Sequence, residues 1–248
     1  MRIGIRENGL FHVHTYRCGH AQDVPDEAYV RQAIAMEAPE IWFSDHAPFP
    51  EDPFLQRMKY AELDEYLTTL QELKAKYRRQ IDVHIGLEIE YFPTYDAQGY
   101  YQELKKNPAI EFLLLGQHMA QDPARPGEYS FSWPEEQLDL QEFRALGEAI
   151  CQGIESGHFA AVAHPDRIFR RQKEWTPDMA AMSEKILRAA ERAGLPIEIN
   201  ISSYLSGKLF RPEFWKLAGD RCPILYGLDA HSLLELEEHD RVRRQLIL

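Results

Sequence analysis

Hydrophobic positions along the chain fall into seven short runs, most of them followed by a stretch with helical spacing. The runs at residues 10–14, 40–45, 81–91, 110–115, 159–163, 196–200 and 223–226 read as strands, each short and bounded by polar or turn-forming residues. Asp23-Val24-Pro25 supplies a helix start, and Ala28, Val30, Ile34, Ala35 and Met36 give the following helix an apolar side. Leu63, Tyr66, Leu67, Leu70, Leu73 and Tyr77 recur at helical spacing on a helix that ends near Arg79. A short helix is expected around residues 100–105, and longer ones over 138–154 and 179–193. The last of these should stop at Gly194, which suits a left-handed cap. Pro48, Pro50 and Pro53 enforce a loop after the second strand, and residues 121–134, rich in Pro, Gly and charge, form another.

No repeat, linker or low-complexity tract interrupts this alternation, so the pattern predicts one parallel α/β domain over residues 1–248. A closed or nearly closed barrel is the expected form, with an open doubly wound sheet as the alternative. Barrels of this kind gather their chemistry at the carboxyl ends of the strands. Strands one, two, four and five end in His14, His46, His118 and His164, and the seventh runs on into Asp229 and His231. An open sheet would bring the same residues to one edge.

These strand ends carry the candidate chemistry. Side chains two apart on a strand point the same way, so His12 and His14 share a face, and His20 follows closely. Neutral imidazole is a common ligand for transition metals. His12, His14, His20, His46, Glu88, His118, His164, Asp229 and His231 are the candidate ligands. They exceed what one tetrahedral ion uses, which implies two to three divalent ions. Their nitrogen and oxygen donors suit Zn, Mn or Fe without choosing among them. Glu88 and Glu90 share strand parity, so spacing does not decide which points inward. Asp166 is a ligand, an orienter of His164 or a turn cap. His84, His158 and His239 have no partner in the pattern, and Cys18, between two candidates, is not assigned. Clustered metals activate water and neutralise phosphoryl charge. No Ser-His-Asp order, nucleophile elbow or Gly-rich phosphate loop competes, so metal-assisted hydrolysis is the expected class.

Charge narrows the partners. A net charge of −12 and a pI near 5.3 argue against a general nucleic-acid or membrane-surface binder. A small anionic substrate stays compatible, because a metal cluster reverses the field locally. Cys18, Cys151 and Cys222 are too few and scattered for a disulfide framework. No run has membrane-spanning length and the first residues lack a signal-peptide core, so a cytoplasmic protein is expected.

The ordered set His12-x-His14, Cys18-Gly19-His20-Ala21, Ser44-Asp45-His46-Ala47-Pro48, Gly86-Leu87-Glu88, Gly116-Gln117-His118, Ala163-His164-Pro165-Asp166 and Asp229-Ala230-His231 resembles the motifs of the polymerase-and-histidinol-phosphatase (PHP) superfamily. Cys-Gly-His-Ala, the Asp-His-Ala-Pro-Phe-Pro run at 45–50, and Arg57-Met58 followed by Leu63-Asp64-Glu65-Tyr66-Leu67 are similar to its histidinol-phosphatase branch. The resemblance covers residues 10 to about 232. It implies a distorted seven-stranded (β/α)7 TIM-like barrel of PHP type. It also implies one ion on His12, His14, Glu88 and Asp229, a second on His20, His46 and His231, and a third on His118 and His164 with Glu88 bridging. The resemblance, not the spacing, selects Glu88 over Glu90. Two positions depart from the branch: it often reads Gly-Ser-Asp-Ala-His where this chain has Gly227-Leu228-Asp229-Ala230-His231, and Gly-Ser-x-His where this chain has Leu115-Gly116-Gln117-His118, so Leu228 and Gly116 stand where it carries a serine.

The activity implied is hydrolysis of L-histidinol phosphate to L-histidinol and phosphate in histidine biosynthesis. Arg17, Arg57, Arg167 and Lys208 are candidates to grip the phosphate. Tyr16, Phe49, Tyr91 and Tyr204 are candidates to pack on the imidazole, and residues 121–134 would form a flap over the site. The alternatives are a PHP-type nucleotide phosphatase or exonuclease, and a metal-binding PHP domain without turnover. An amidohydrolase also opens with His-x-His, but it typically bridges its metals with a modified lysine, and residues 81–91 contain none.

Overall fold

The computed structural model describes residues 3–122, 124–125 and 127–247. Strands β1 (Leu10–Val13), β2 (Glu40–His46), β3 (Asp82–Ile89), β4 (Phe112–Leu115), β5 (Ala161–Val162), β6 (Ile197–Asn200) and β7 (Ile224–Gly227) lie in sequence order in one sheet. Each pairs in parallel with the next. Beyond β7 the chain returns to β1. Leu228 N donates to Phe11 O at 2.8 Å and His14 N to Ala230 O at 3.0 Å, while Val13 and Ala230 form a parallel bridge. The sheet is therefore a nearly closed barrel. Consecutive strand order rules out the doubly wound alternative, whose order reverses at a switch point.

Helices α1 (Asp26–Ala35), α2 (Leu63–Tyr77), α3 (Pro93–Ala97), α4 (Tyr100–Lys106), α5 (Glu135–Ser156), α6 (Pro177–Ala193), α7 (Ile201–Ser206), α8 (Pro212–Ala218) and α9 (Leu233–Ile247) follow the strands. The shape of α6 can be read from its sequence. Thr176 accepts the amide of Met179 at its start, and Gly194 closes it at φ 62°. Met179, Met182, Ile186, Leu187, Ala189 and Ala190 face inward, and each large side chain so buried is worth about 1.5–3 kcal/mol. Hydrophobic periodicity does not reveal α9, because its inward face is largely polar. Leu236, His239, Asp240 and Arg243 are buried at helical spacing. His239 Nδ1 donates to Leu228 O at 2.7 Å, which steadies the segment that closes the barrel.

The core has two layers. Ile41, Phe43, Val83 and Ile85 pack outward against the helices. Phe11, Trp42, Phe112, Leu114, Ala161 and Ala163 form a separate apolar plug. Trp42, Ser44 and His46 alternate up β2 and pair with His84, Gly86 and Glu88 on β3. The inward face thus climbs from apolar plug to polar rim within two strand periods. Within the loop at 121–134, Gln121 bridges Tyr129, and Ser130 N donates to Ala120 O at 2.8 Å. Pro123 and Pro126 lie outside the described residues.

A Cβ on Gly86 would overlap the Phe112 ring. Gly86→Ala should therefore cost about 1–3 kcal/mol by overpacking. Urea denaturation should show a lower midpoint with an unchanged slope, and an unchanged midpoint would refute tight packing there.

Candidate metal centre

All nine candidate ligands meet at the carboxyl rim of the barrel, and Glu88 is their centre. Its Oε2 lies 3.4 Å from His12 Nε2, 3.6 Å from His14 Nε2 and 3.1 Å from His46 Nδ1. Its Oε1 lies 2.8 Å from His164 Nε2 and 3.5 Å from His118 Nε2. Asp229 Oδ1 stands 3.2 Å from His14 Nε2 and 3.7 Å from His12 Nε2. The His20 ring packs 4.6 Å from His231 and 5.4 Å from His46. Donor atoms fall within 4.8 Å of one another in several overlapping triads, among them His12-His14-Asp229, His46-Glu88-His118 and His14-His46-His231.

Simple strand alternation does not produce this convergence. The β1 register shifts between Phe11 and Val13, and His12 takes φ 68°. His164 (φ 28°) and Asp229 (φ 51°) are also left-handed. Such positions cost about 1–3 kcal/mol each and persist where their surroundings enforce them. Here each one turns a donor toward Glu88 or its neighbours.

The donors fit divalent metal. His12 Nε2, both ring nitrogens of His14, Glu88 Oε2, His118 Nε2 and His231 Nε2 are buried without a hydrogen-bond partner. Buried polar atoms normally have one, and leaving each unmade costs about 1–3 kcal/mol. The opposite nitrogens are anchored. His20 Nδ1 donates to Cys18 O at 3.0 Å and His231 Nδ1 to Asp229 O at 3.1 Å. A carbonyl only accepts, so Nδ1 carries the proton and Nε2 is left with a lone pair. His12 Nδ1 bonds Glu198 Oε2 at 2.7 Å, and His118 Nδ1 bonds Glu90 Oε1 at 3.1 Å. Outer partners of this kind orient metal-binding imidazoles. Burial opposes ionisation of Glu88, yet His118, His12 and His46 outweigh it and hold the carboxyl well below its usual range. Burial also leaves His46 neutral, depressed to about 3, and with Arg167 it depresses His164 to about 4.

Glu90 sits one strand period beyond Glu88 but belongs to the support. Arg57 grips it with two bonds of 2.9 Å, and Glu90 in turn holds His118. Sequence reasoning missed Glu198 and Asn200, because β6 carries no histidine. Their i, i+2 polar spacing on a buried strand was the available signal. Asn200 Nδ2 donates to Glu198 Oε1 at 2.8 Å and to Asp229 Oδ2 at 3.1 Å, linking two sides of the cluster. A Cβ at Gly116 would collide with the Glu88 carboxylate, and one at Gly227 with that of Glu198. Of the two departing positions, Gly116 lies against the Glu88 carboxylate, where a serine side chain would have no room, and Leu228 is fully buried. Gln117, next in the chain, accepts Tyr91 N at 2.9 Å through Oε1 and donates Nε2 to Met119 O at 2.7 Å.

The four candidate phosphate cations have different settings. Arg17 is buried on Asp26 (2.7 Å) and reaches Glu65 at 3.1 Å. Arg57 is committed to Glu90, and Lys208 is exposed just past α7. Arg167 Nη2 donates to Asp229 Oδ2 at 2.6 Å and Asn200 Oδ1 at 3.2 Å, which makes it, among the described residues, the one cation of the four that touches a candidate ligand. Of the aromatic candidates, Phe49 is fully buried among other rings and the Tyr91 hydroxyl is bound to Asp96. Tyr16 lies against the Arg17 guanidinium, and Tyr204 is exposed on α7. Asp166 Oδ2 accepts from Arg211 N at 2.8 Å and Trp215 Nε1 at 3.0 Å, so it pins the start of α8 rather than orienting His164. His84, His158 and His239 stand outside the cluster, bonded to Glu111, Asp96 and Leu228 O.

The sequence profile described as "PHP domain" matches residues 11–202. The chain belongs to the PHP domain family. Within the family it is 26% identical over 237 residues to the Deinococcus radiodurans protein described as "Probable histidinol-phosphatase", covering 89% of this chain and 85% of that one. It is 23% identical over 251 residues to the histidinol-phosphatase of Bacillus subtilis, covering 89% and 92%. Among solved structures it resembles the histidinol phosphate phosphatase of Lactococcus lactis, complexed with zinc, L-histidinol and phosphate. The TM-score is 0.69 at 19% identity, over 96% of this chain and 93% of that one. That likeness places the PHP chain on the same fold.

Removing the charge that anchors His12 should loosen the centre. Glu198→Gln is expected to weaken metal affinity by about 10–100-fold in a chelator competition titration. Gly227→Ala should move affinity the same way by displacing Glu198. Unchanged affinity in both variants would show that Glu198 is not an orienter.

Proposed function

We propose that the chain is a metal-dependent phosphomonoesterase that hydrolyses L-histidinol phosphate to L-histidinol and phosphate, in histidine biosynthesis in the cytoplasm. The observation that carries the reading is Glu88, a buried carboxylate at the meeting point of five imidazoles, three of which (His12, His14 and His118) have buried ring nitrogens without a partner. Support for the substrate comes from the relatives, which are aligned with nearly their whole length and named for that reaction. The cytoplasmic placement is supported by three free cysteines and by the lack, among the described residues, of a helix long and apolar enough to cross a membrane.

Two to three ions, Zn, Mn or Fe, would be held by His12, His14, Glu88 and Asp229, by His20, His46 and His231, and by His118, His164 and Glu88. Bound there, divalent ions supply a water of lowered pKa and screen the charge of a phosphoryl group. The chain's own residues do the rest. Arg167, steadied by Asp229, Asn200 and Ser203, presents a planar fork beside the cluster that suits a phosphoryl oxygen. Lys208, on the exposed turn after α7, is the other cation offered to the phosphate. Arg17 and Arg57 act at one remove: Arg57 holds Glu90, and Arg17 neutralises Asp26 beside the first loop.

Elemental analysis of purified protein should find two to three transition-metal ions per chain, and chelation should abolish phosphate release. At most one tightly held ion, with no gain on adding metal, would sink the multi-ion reading. Substrate identity needs a comparison, because a metal cluster alone cleaves many phosphomonoesters. We expect kcat/KM for histidinol phosphate to exceed that for nucleoside monophosphates by about a hundredfold, or roughly 2.7 kcal/mol of differential transition-state binding. Equal rates on AMP would move the chain to the nucleotide-processing side of its family. Metal binding without turnover on any ester would make it a binding domain.

A further inference from the structure

The three cysteines have different surroundings. Cys151 and Cys222 pack within the main apolar core, as small buried thiols usually do. Cys18 is fully buried too, but it belongs to neither apolar cluster described above. It ends the 3-10 turn Tyr16–Cys18, which Gly19 closes in the left-handed region at φ 78°. That closure brings His20 back beside the sulfur. The Cys18 carbonyl meanwhile fixes His20 by accepting its Nδ1 proton. One turn therefore sets both a sulfur and an imidazole.

The donor atoms of Cys18, His20 and His231 lie within 4.8 Å of one another. His231 Nε2 is buried without a partner, and its ring stacks 4.1 Å from the wholly buried His14, neither of whose nitrogens has one. Polar atoms stranded in this way indicate a cation among them.

We propose that Cys18 is a further ligand of the ion assigned to His20, His46 and His231, adding one sulfur to its nitrogen donors. This rests on the metal centre of the proposed function and extends it. In the metal-free chain burial keeps the Cys18 thiol protonated, pushed up to about 12. On coordination the S–H bond breaks, a sulfur–metal bond forms, and the proton leaves to solvent with no change of oxidation state. A thiolate makes this position softer than the imidazole and carboxylate donors around Glu88. It should therefore take zinc in preference to manganese.

Cobalt(II) is the probe, loaded into the full chain in place of the native ions. The expected result is a sulfur-to-cobalt charge-transfer band in the near ultraviolet together with visible d–d bands. The charge-transfer band should be lost in Cys18→Ser and kept in Cys151→Ser. Visible bands without charge transfer in the unmodified protein would overturn the sulfur ligand while leaving the metal centre standing. A charge-transfer band that persists in Cys18→Ser would also overturn it. Absence of every cobalt band would remove the centre itself and the proposal with it. The spectrum of the unmodified protein decides the matter even where Cys18→Ser does not fold.

Discussion

A buried carboxylate is the constraint on which the rest of the structure depends. Glu88 is almost fully enclosed, and taking an anion out of water costs several kcal/mol unless positive or hydrogen-bonding groups surround it. The chain meets that demand with five imidazoles from four different segments, two of them contributed by the first strand and its end. Bringing five rings to one carboxylate forces the backbone away from regular geometry. It accounts for the left-handed residues at His12 and His164 and for the missing side chain at Gly116. The strand pairing supplies the rigid frame against which that strain is held.

Outside the cluster, a second ring of charges restricts how its members can turn. Arg57, Glu90 and His118 form one chain of contacts. Arg167, Asp229, Asn200, Glu198 and His12 form another. Breaking a buried pair by removing one partner typically costs about 3–5 kcal/mol, because an uncompensated charge is left behind. Arg57 illustrates how a motif residue with the right chemistry for phosphate can be used for support instead. Its guanidinium is bidentate, as phosphate recognition requires, but the carboxylate it holds is the chain's own.

Legibility in the sequence followed the kind of signal each element carries. The parallel strand and helix alternation, and the histidines at strand ends, depend on periodicity and residue type, and both survive without coordinates. Helix α9 was hidden because His239, Asp240 and Arg243 occupy its inward face, where the hydrophobic pattern looks for apolar residues. Strand β5 has two paired residues inside a longer apolar run, since pairing depends on neighbours rather than on the run itself. Parity could not separate Glu88 from Glu90, because both point the same way and differ only in height along the barrel. Glu198 was missed for a related reason: its role is defined by contact with His12, a residue 186 positions away.

The charge balance has a consequence for what the rim can accept. The chain carries −12 overall, so a long polyanion approaching it is repelled wherever it overhangs the cluster. Close to the rim the sign would reverse with the two to three proposed divalent ions in place, since they would outweigh the Glu88 and Asp229 carboxylates, and Arg167 adds to them. Screening confines that favourable region to about 8 Å at physiological ionic strength. A single phosphate fits within such a range, whereas successive phosphates of a nucleic acid would extend into the repulsive field. A cationic amine on the far end of the ester would instead be attracted by the acidic surroundings. The same acidic composition that weakens binding of polyanions therefore favours a small phosphomonoester with a positive tail.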